Sequence, residues 1–247
     1  MSKVKPPFGR KPKAHPSRKG LVLDLAMIGK GDLNDYSGNK NNVTNDGAVW
    51  VPGDDGPALS FDGVLDRIDI PMDIGTVFTV ETWVQFNSLI GTNQVFFSWN
   101  GASLDSFQTW NGRWDIILAG VDIFPATPVP VIGQWHQAVA CIEQGGRSAM
   151  YIDGEFIAED LTTGTVDHTK VTIGGTNVSG QSANCQIKKC TAWSRILTGE
   201  EIRNSFNFPY QAWQRNDLPI WAAAQGGVPP VGVTPTQYYK RFLQGVA

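Results

Sequence analysis

Residues 132–159 read Ile-Gly-Gln-Trp-His-Gln-Ala-Val-Ala-Cys-Ile-Glu-Gln-Gly-Gly-Arg-Ser-Ala-Met-Tyr-Ile-Asp-Gly-Glu-Phe-Ile-Ala-Glu. Two apolar runs flank Gly145-Gly146, and a second turn pair sits at Asp153-Gly154. Gly-Gly and Asp-Gly supply the positive φ angles that tight hairpin turns need. The stretch therefore predicts strand, hairpin, strand, tight turn, strand. Its β-branched and aromatic residues suit the middle of an antiparallel sheet, with Trp135 expected between two sheets.

Similar punctuation runs outward from this stretch. Gly20 to Ala26 predicts a first strand, and residues 34–42 form a loop rich in Asn, Asp and Ser. Ala58-Leu59-Ser60-Phe61-Asp62-Gly63 and Asp66-Arg67-Ile68-Asp69-Ile70 follow. Phe78 to Phe86 is nearly all β-formers, with apolar alternation at 78, 80 and 84. Strands near 95–99, 106–110 and 114–119 are separated by Asn-Gly turns at 100–101 and 111–112. Val171 to Ile173 and Cys185 to Trp193 predict two more. Thr198 with Glu201 three residues on is a capping box that opens a short helix.

These motifs, in this order, resemble the laminin-G-like, or concanavalin-A-like, jelly roll. Gly133-Gln134-Trp135-His136 and Tyr151-Ile152-Asp153-Gly154 are similar to its central hairpin. Gly20-Leu21-Val22, Ala58-Leu59-Ser60-Phe61-Asp62-Gly63, Phe78-Thr79-Val80-Glu81-Thr82-Trp83-Val84 and Leu197-Thr198-Gly199-Glu200-Glu201-Ile202 match further family motifs. The resemblance covers residues 20–206 and implies an all-β, two-sheet antiparallel sandwich. Forty-two Gly and Pro and nine Trp in 247 residues suit that class better than a helix bundle.

The remaining residues divide the chain into 1–19, 20–206 and 207–247. The first segment carries seven Lys or Arg, four Pro and no acid, and reads as an extended basic arm. The other 13 Lys or Arg face all 23 acids, a balance of −10. An acidic body with a basic arm concerns partners rather than fold. Residues 207–247 are aromatic without strand or helix period, and are expected to pack on the sandwich or on a neighbour. The Pro7-Phe8-Gly9 and His15-Pro16 leader, with this tail, resembles laminin-G-like proteins encoded by tailed bacteriophages.

No apolar run approaches the length of a membrane span, and the basic leader lacks the apolar stretch of a signal peptide. Three cysteines, Cys141, Cys185 and Cys190, have neither zinc spacing nor a clear disulfide pair and are expected as buried thiols in a protein made in a reducing compartment.

For catalysis, a retaining glycosidase needs two carboxyls about 5 Å apart. Asp66 and Asp69 are out of phase in a strand, and Glu81 stands alone in its own. His136, beside Trp135, reads as structural; His15 and His168 lie far from it. No nucleophile or phosphate-loop motif occurs, and the expectation is no enzyme, with no catalytic, cofactor or metal residues assigned. Asp35, Asn39, Asn41 and Asp62 could supply oxygens to a structural calcium ion, which the resemblance allows, or could merely cap turns. The resemblance puts an acid where this chain has Lys188-Lys189. Trp99, Trp110 and Trp114 lie near hairpin tips, either as sugar platforms or as core. The arm has only Phe8 as an aromatic, which disfavours nucleic acid. The function favoured by the resemblance is a virion subunit of a tailed phage, such as a capsid decoration protein. It would be homo-oligomeric on the particle and contact capsid or tail proteins. The alternative is a carbohydrate-binding module.

Overall fold

The computed structural model describes residues 18–209 apart from 28–30, 32, 53–55, 90–92, 101–104, 120, 124, 162–167 and 177–180. The expected arm over 1–19 (all but its last two residues), the tail beyond 209 and the turn position at Gly101 lie outside the described residues.

In chain order the strands are β1 (Leu21–Ala26), β2 (Thr44–Asp46), β3 (Val49–Val51), β4 (Ala58–Asp62), β5 (Arg67–Ile70), β6 (Val77–Phe86), β7 (Asn93–Ser98) and β8 (Ser106–Trp110). They continue as β9 (Arg113–Leu118), β10 (Val121–Ile123), β11 (Trp135–Glu143), β12 (Arg147–Ile152), β13 (Glu155–Leu161), β14 (Val171–Ile173) and β15 (Asn184–Trp193), before helix α1 (Gly199–Asn207). One sheet of eight strands runs β13-β12-β11-β6-β15-β4-β3, with β1 also on β15. The other, of seven, runs β10-β9-β8-β7-β14-β5-β2. All ladders between these strands are antiparallel, so the fold is the expected jelly-roll sandwich.

Alternation sets the core. Phe78, Val80, Val84 and Phe86 of β6 face Phe96, Phe107, Trp114 and Ile116 of the other sheet, in one buried apolar cluster. Their rings meet edge-on, Phe86 to Trp114 at 5.7 Å and Phe78 to Trp99 at 5.6 Å. The β8–β9 hairpin closes on Asn111 (φ 48°) and Gly112 (φ 74°), the two left-handed positions of a primed turn.

Two expectations need correction. The strands β11 to β13 do not make the middle of a sheet, because β13 is its outermost strand. Glu155, Glu159 and Asp160 there are exposed, and such charges blunt an edge against further pairing. Nor is Trp135 between the sheets. The inward phase of β11 is set by Ala138, Ala140 and Ile142, which makes His136 the inward neighbour. The His136 imidazole packs edge-on against Trp114 at 5.6 Å, and Trp135 stands half-buried on the outer face.

Helix α1 covers that outer face. Ile202 and Leu197 pack on Val139, Cys141, Trp193 and Leu21. The capping box is present, and Arg195 grips Glu201 with two bonds of 2.8 and 2.7 Å while its Nε donates to the Lys19 carbonyl at 2.8 Å. No helix of the described residues is long and apolar enough to cross a membrane.

Candidate functional site

Under α1 lies a buried polar cluster centred on Glu81. Its carboxylate accepts from Lys189 Nζ at 3.2 Å to each oxygen, from Trp83 Nε1 at 2.9 Å and from Gln137 Nε2 at 3.1 Å. Thr191 donates at 3.2 Å and Ser205 of the helix at 2.9 Å. Burial alone would raise the Glu81 pKa, but the Lys189 ammonium and the bonds from Gln137 and Ser205 outweigh it and hold the carboxyl below its usual range. Glu81, the lone carboxylate of its strand, is thus heavily bonded, and every bond but that from Trp83 of the same strand ties strand to strand or strand to helix. A bulge between Ile187 and Lys189 turns both Lys188 and Lys189 to this face. Lys188 Nζ lies 4.6 Å from the Trp83 ring and 4.5 Å from the Trp135 ring, a cation held between two indoles. Trp83 in turn stacks on Phe206 at 5.8 Å.

Beside this cluster a cavity of about 30 Å³ is lined by Asp24, Lys189, Thr191, Ser205, Phe208 and Pro209, among others. Arg18 reaches Asp24 at 3.5 Å and the Tyr36 carbonyl at 2.6 Å. Burial pushes the Asp24 carboxyl up to about 6, against the pull of Lys189 and Arg18. The described chain therefore enters and leaves the sandwich at one place.

The expected sites resolve differently. Trp99 and Trp114 are fully buried core and present no ring to a ligand. Trp110 is 38 % exposed, on the outer face of the seven-stranded sheet. His136 accepts from the Val131 amide at 3.1 Å and shares a 2.8 Å bond with Asp153, which fixes the 131 loop against the Asp153 turn. His168 is held by the Gly75 carbonyl and Gln144 at 2.8 and 3.0 Å. Both histidines are structural. Asp35 accepts from the Asp24, Ser37 and Asn41 amides, from Ser37 Oγ and from the Asn41 side chain, all within 3.0 Å. Asn39 and Asn41 donate to the Val22 carbonyl at 3.0 and 2.8 Å, and Asp62 accepts from Val64 at 2.8 Å. These groups cap their loops. Among the described residues no three His, Cys, Asp or Glu converge on a point that would hold a metal ion. The three cysteines are free and buried, and burial pushes Cys141 up to about 11 and Cys190 up to about 12.

Around Trp110 the register collects other groups. Trp110 pairs with Arg113 and with Asn93; Gln108 pairs with Asp115 and Val95; Ile117 pairs with Asp122. Directly opposed residues share a face, so Asn93, Gln108, Trp110, Arg113, Asp115 and Asp122 lie together. Trp110, Arg113 and Asp122 are exposed and ring a buried Gln108–Asp115 pair, joined at 2.7 Å. Asp115 Oδ1 and Asn93 Oδ1 are buried without a donor among the described residues. Burial, with Asp122 adding repulsion against the Gln108 bond, pushes Asp115 up to about 6. An exposed indole beside unsatisfied acceptor oxygens is an arrangement that stacks a ring and takes hydroxyl donors. Only Trp110 of this set was anticipated. Ser106-x-Gln108-x-Trp110 and Arg113-x-Asp115-x-Ile117 about the Asn-Gly turn would have placed the others on its face by period two.

Fold and site define a lectin-like β-sandwich. The chain belongs to the concanavalin A-like lectin/glucanases superfamily, whose laminin-G-type profile matches residues 69–203. No curated protein matches the chain in sequence. The chain is similar in structure to the binding domain of Paraclostridial Mosquitocidal Protein 1, with TM-score 0.65 and 15 % identity over 81 % of this chain and 56 % of that one. It is also similar to the binding domain of botulinum neurotoxin serotype D, with TM-score 0.59 and 14 % identity over 76 % and 52 %. A Trypanosoma rangeli sialidase matches with TM-score 0.60 and 20 % identity over 76 % and 32 %. The chain spans about half the length of the first two structures and a third of the sialidase. At such identities the likeness is one of fold.

Proposed function

We propose that the chain is a non-catalytic carbohydrate-binding module, with its site on the outer face of the seven-stranded sheet around Trp110. The observation that carries this reading is the exposed Trp110 ring beside the donor-less oxygens of Asn93 and Asp115. Membership of a lectin-like superfamily and similarity to toxin binding domains support it. Catalysis has no support from the carboxylates, since Glu81 is consumed by five donors and Asp115 is held by Gln108. The test is electrophoresis of the full chain through gels containing polysaccharides. Retardation that Trp110→Ala abolishes is expected. Retardation in no gel across a broad panel would sink the reading.

A second reading, a subunit on the surface of a tailed-phage particle, draws support from the shared entry and exit of the chain. Arg18 and Pro209 both lie at Asp24, on the side of the sandwich opposite Trp110. Anchored through residues 1–19 and 207–247, the sandwich would turn the Trp110 face outward. Mass spectrometry of purified particles decides: a stoichiometric component supports a capsid or tail subunit, and absence removes it.

A further inference from the structure

We propose that the Trp110 face selects a neutral saccharide and rejects carboxylated or sulfated ones; this rests on the carbohydrate-binding reading above. Around Trp110 the two unsatisfied buried atoms, Asp115 Oδ1 and Asn93 Oδ1, are both acceptors; a third on the same face, Thr172 Oγ1, lies further across beside Asp69 and can donate or accept. An ionised carboxylate has no proton to give, and an amide oxygen only accepts, so the missing partners are donors. Sugar hydroxyls are donors; carboxylate and sulfate oxygens are not. Asp115 is only 2 % exposed, so its oxygen lacks a donor at a desolvation cost, and a sugar hydroxyl, no smaller than water, reaches it only once a neighbouring side chain shifts.

The charges agree. Asp115 is faced by Gln108 from β8 and Val95 from β7, neither charged, and by Asp122 from β10. Arg113 is the only Lys or Arg in strands β7 to β10. Further across the same face Asp69 meets Arg67 at 3.1 Å and Lys170 at 2.9 Å, so those cations are already paired. An anionic sugar is held by surplus cations in hydrogen-bonding geometry. Here two carboxylates stand against one guanidinium. The C–H face of a neutral pyranose would lie on Trp110 while its hydroxyls reach the two oxygens.

The test uses the full chain in gels containing laminarin, dextran or mannan on one side and alginate, heparin or polysialic acid on the other. Residues 1–19 carry seven basic side chains, so anionic retardation counts only where Trp110→Ala abolishes it. The expected result is Trp110-dependent retardation by at least one neutral polymer and by none of the anionic ones. Asp115→Asn should weaken that retardation at pH 7 several-fold and remove its decline between pH 7 and 5, where wild-type Asp115 gains its proton; unchanged melting of the variant certifies its fold. Trp110-dependent retardation by an anionic polymer would overturn neutral selection and leave the carbohydrate reading standing. Retardation by neutral polymers that ignores both variants would overturn both.

Discussion

Glu81 and Lys189 form an ion pair at 3.2 Å with side chains only 1 and 5 % exposed. Taking both charges out of water is costly, and the pair persists because further donors complete the carboxylate. Removing one partner leaves the other buried and unpaired. Lys189→Met should therefore destabilise the fold by about 3–5 kcal/mol. The Glu81→Met and Lys189→Met double variant should cost less than the sum of the singles, because the two groups are coupled. Urea denaturation of the three variants measures this, and additive losses would mean the pair does not act as a unit.

Stability should peak on the acid side of neutrality. Asp24 and Asp115 have folded pKa values of about 6, above the ordinary carboxyl value, so the folded chain binds protons more readily than the unfolded one. Stability thus rises as pH falls from 7 through 6 towards 4. Glu81 and Glu201 are shifted the other way; their contribution is present above the ordinary glutamate value and is lost as pH falls below it. The melting temperature should climb from pH 8 to about pH 5 and then drop. Asp24→Asn should raise stability at pH 7 by up to about 3 kcal/mol and flatten the climb. A melting temperature flat from pH 8 to 5 would contradict the burial of these carboxyls.

Three tryptophans should separate by site. Trp114→Ala should cost about 3–5 kcal/mol, since it empties the ring cluster between the sheets. Trp135→Ala loses one face of the Lys188 contact and half-buried area, for about 1 kcal/mol. Trp110→Ala should leave the melting temperature within two degrees or so, a surface effect. Calorimetry of the three variants orders them, and an equal cost at Trp135 and Trp114 would return Trp135 to the core.

Calcium should leave the protein unchanged. The Asp35 oxygens already meet N–H and O–H donors from Asp24, Ser37 and Asn41, and a cation would have to displace them. Equal melting in millimolar calcium and in chelator is expected; a calcium-dependent rise would identify a site in the loop. Asp35→Ala should destabilise in both solutions alike.

Much of the fold was legible because turn chemistry and period two are local. Asn111-Gly112, Asp153-Gly154 and the Thr198–Glu201 box behave as their residue types require. Phase was harder. In β11 both Trp135 and His136 precede a run apolar on both faces, since Val139 and Cys141 are buried under α1 as deeply as Ala138 and Ala140 between the sheets. Alternation could not say which set faced inward. The Glu81 cluster was illegible for a different reason. Its partners lie 2, 56, 108, 110 and 124 residues away, and the bulge that delivers Lys189 leaves no mark in composition.

The meeting of entry and exit at Asp24 has a mechanical consequence. Strand β1 leaves Arg18 antiparallel to β15, with Leu21 opposite Trp193 at the end from which the chain runs on into α1. A force that draws the two ends of the described chain apart first lifts α1 and then opens this ladder one hydrogen bond at a time, like a zip, instead of shearing all its bonds together. A load shared by both ends, as when a tethered sandwich is tugged through a ligand on its far sheet, does not strain that seam in the same way. The seam between β1 and β15 is thus the place where the described chain peels when pulled between its two ends.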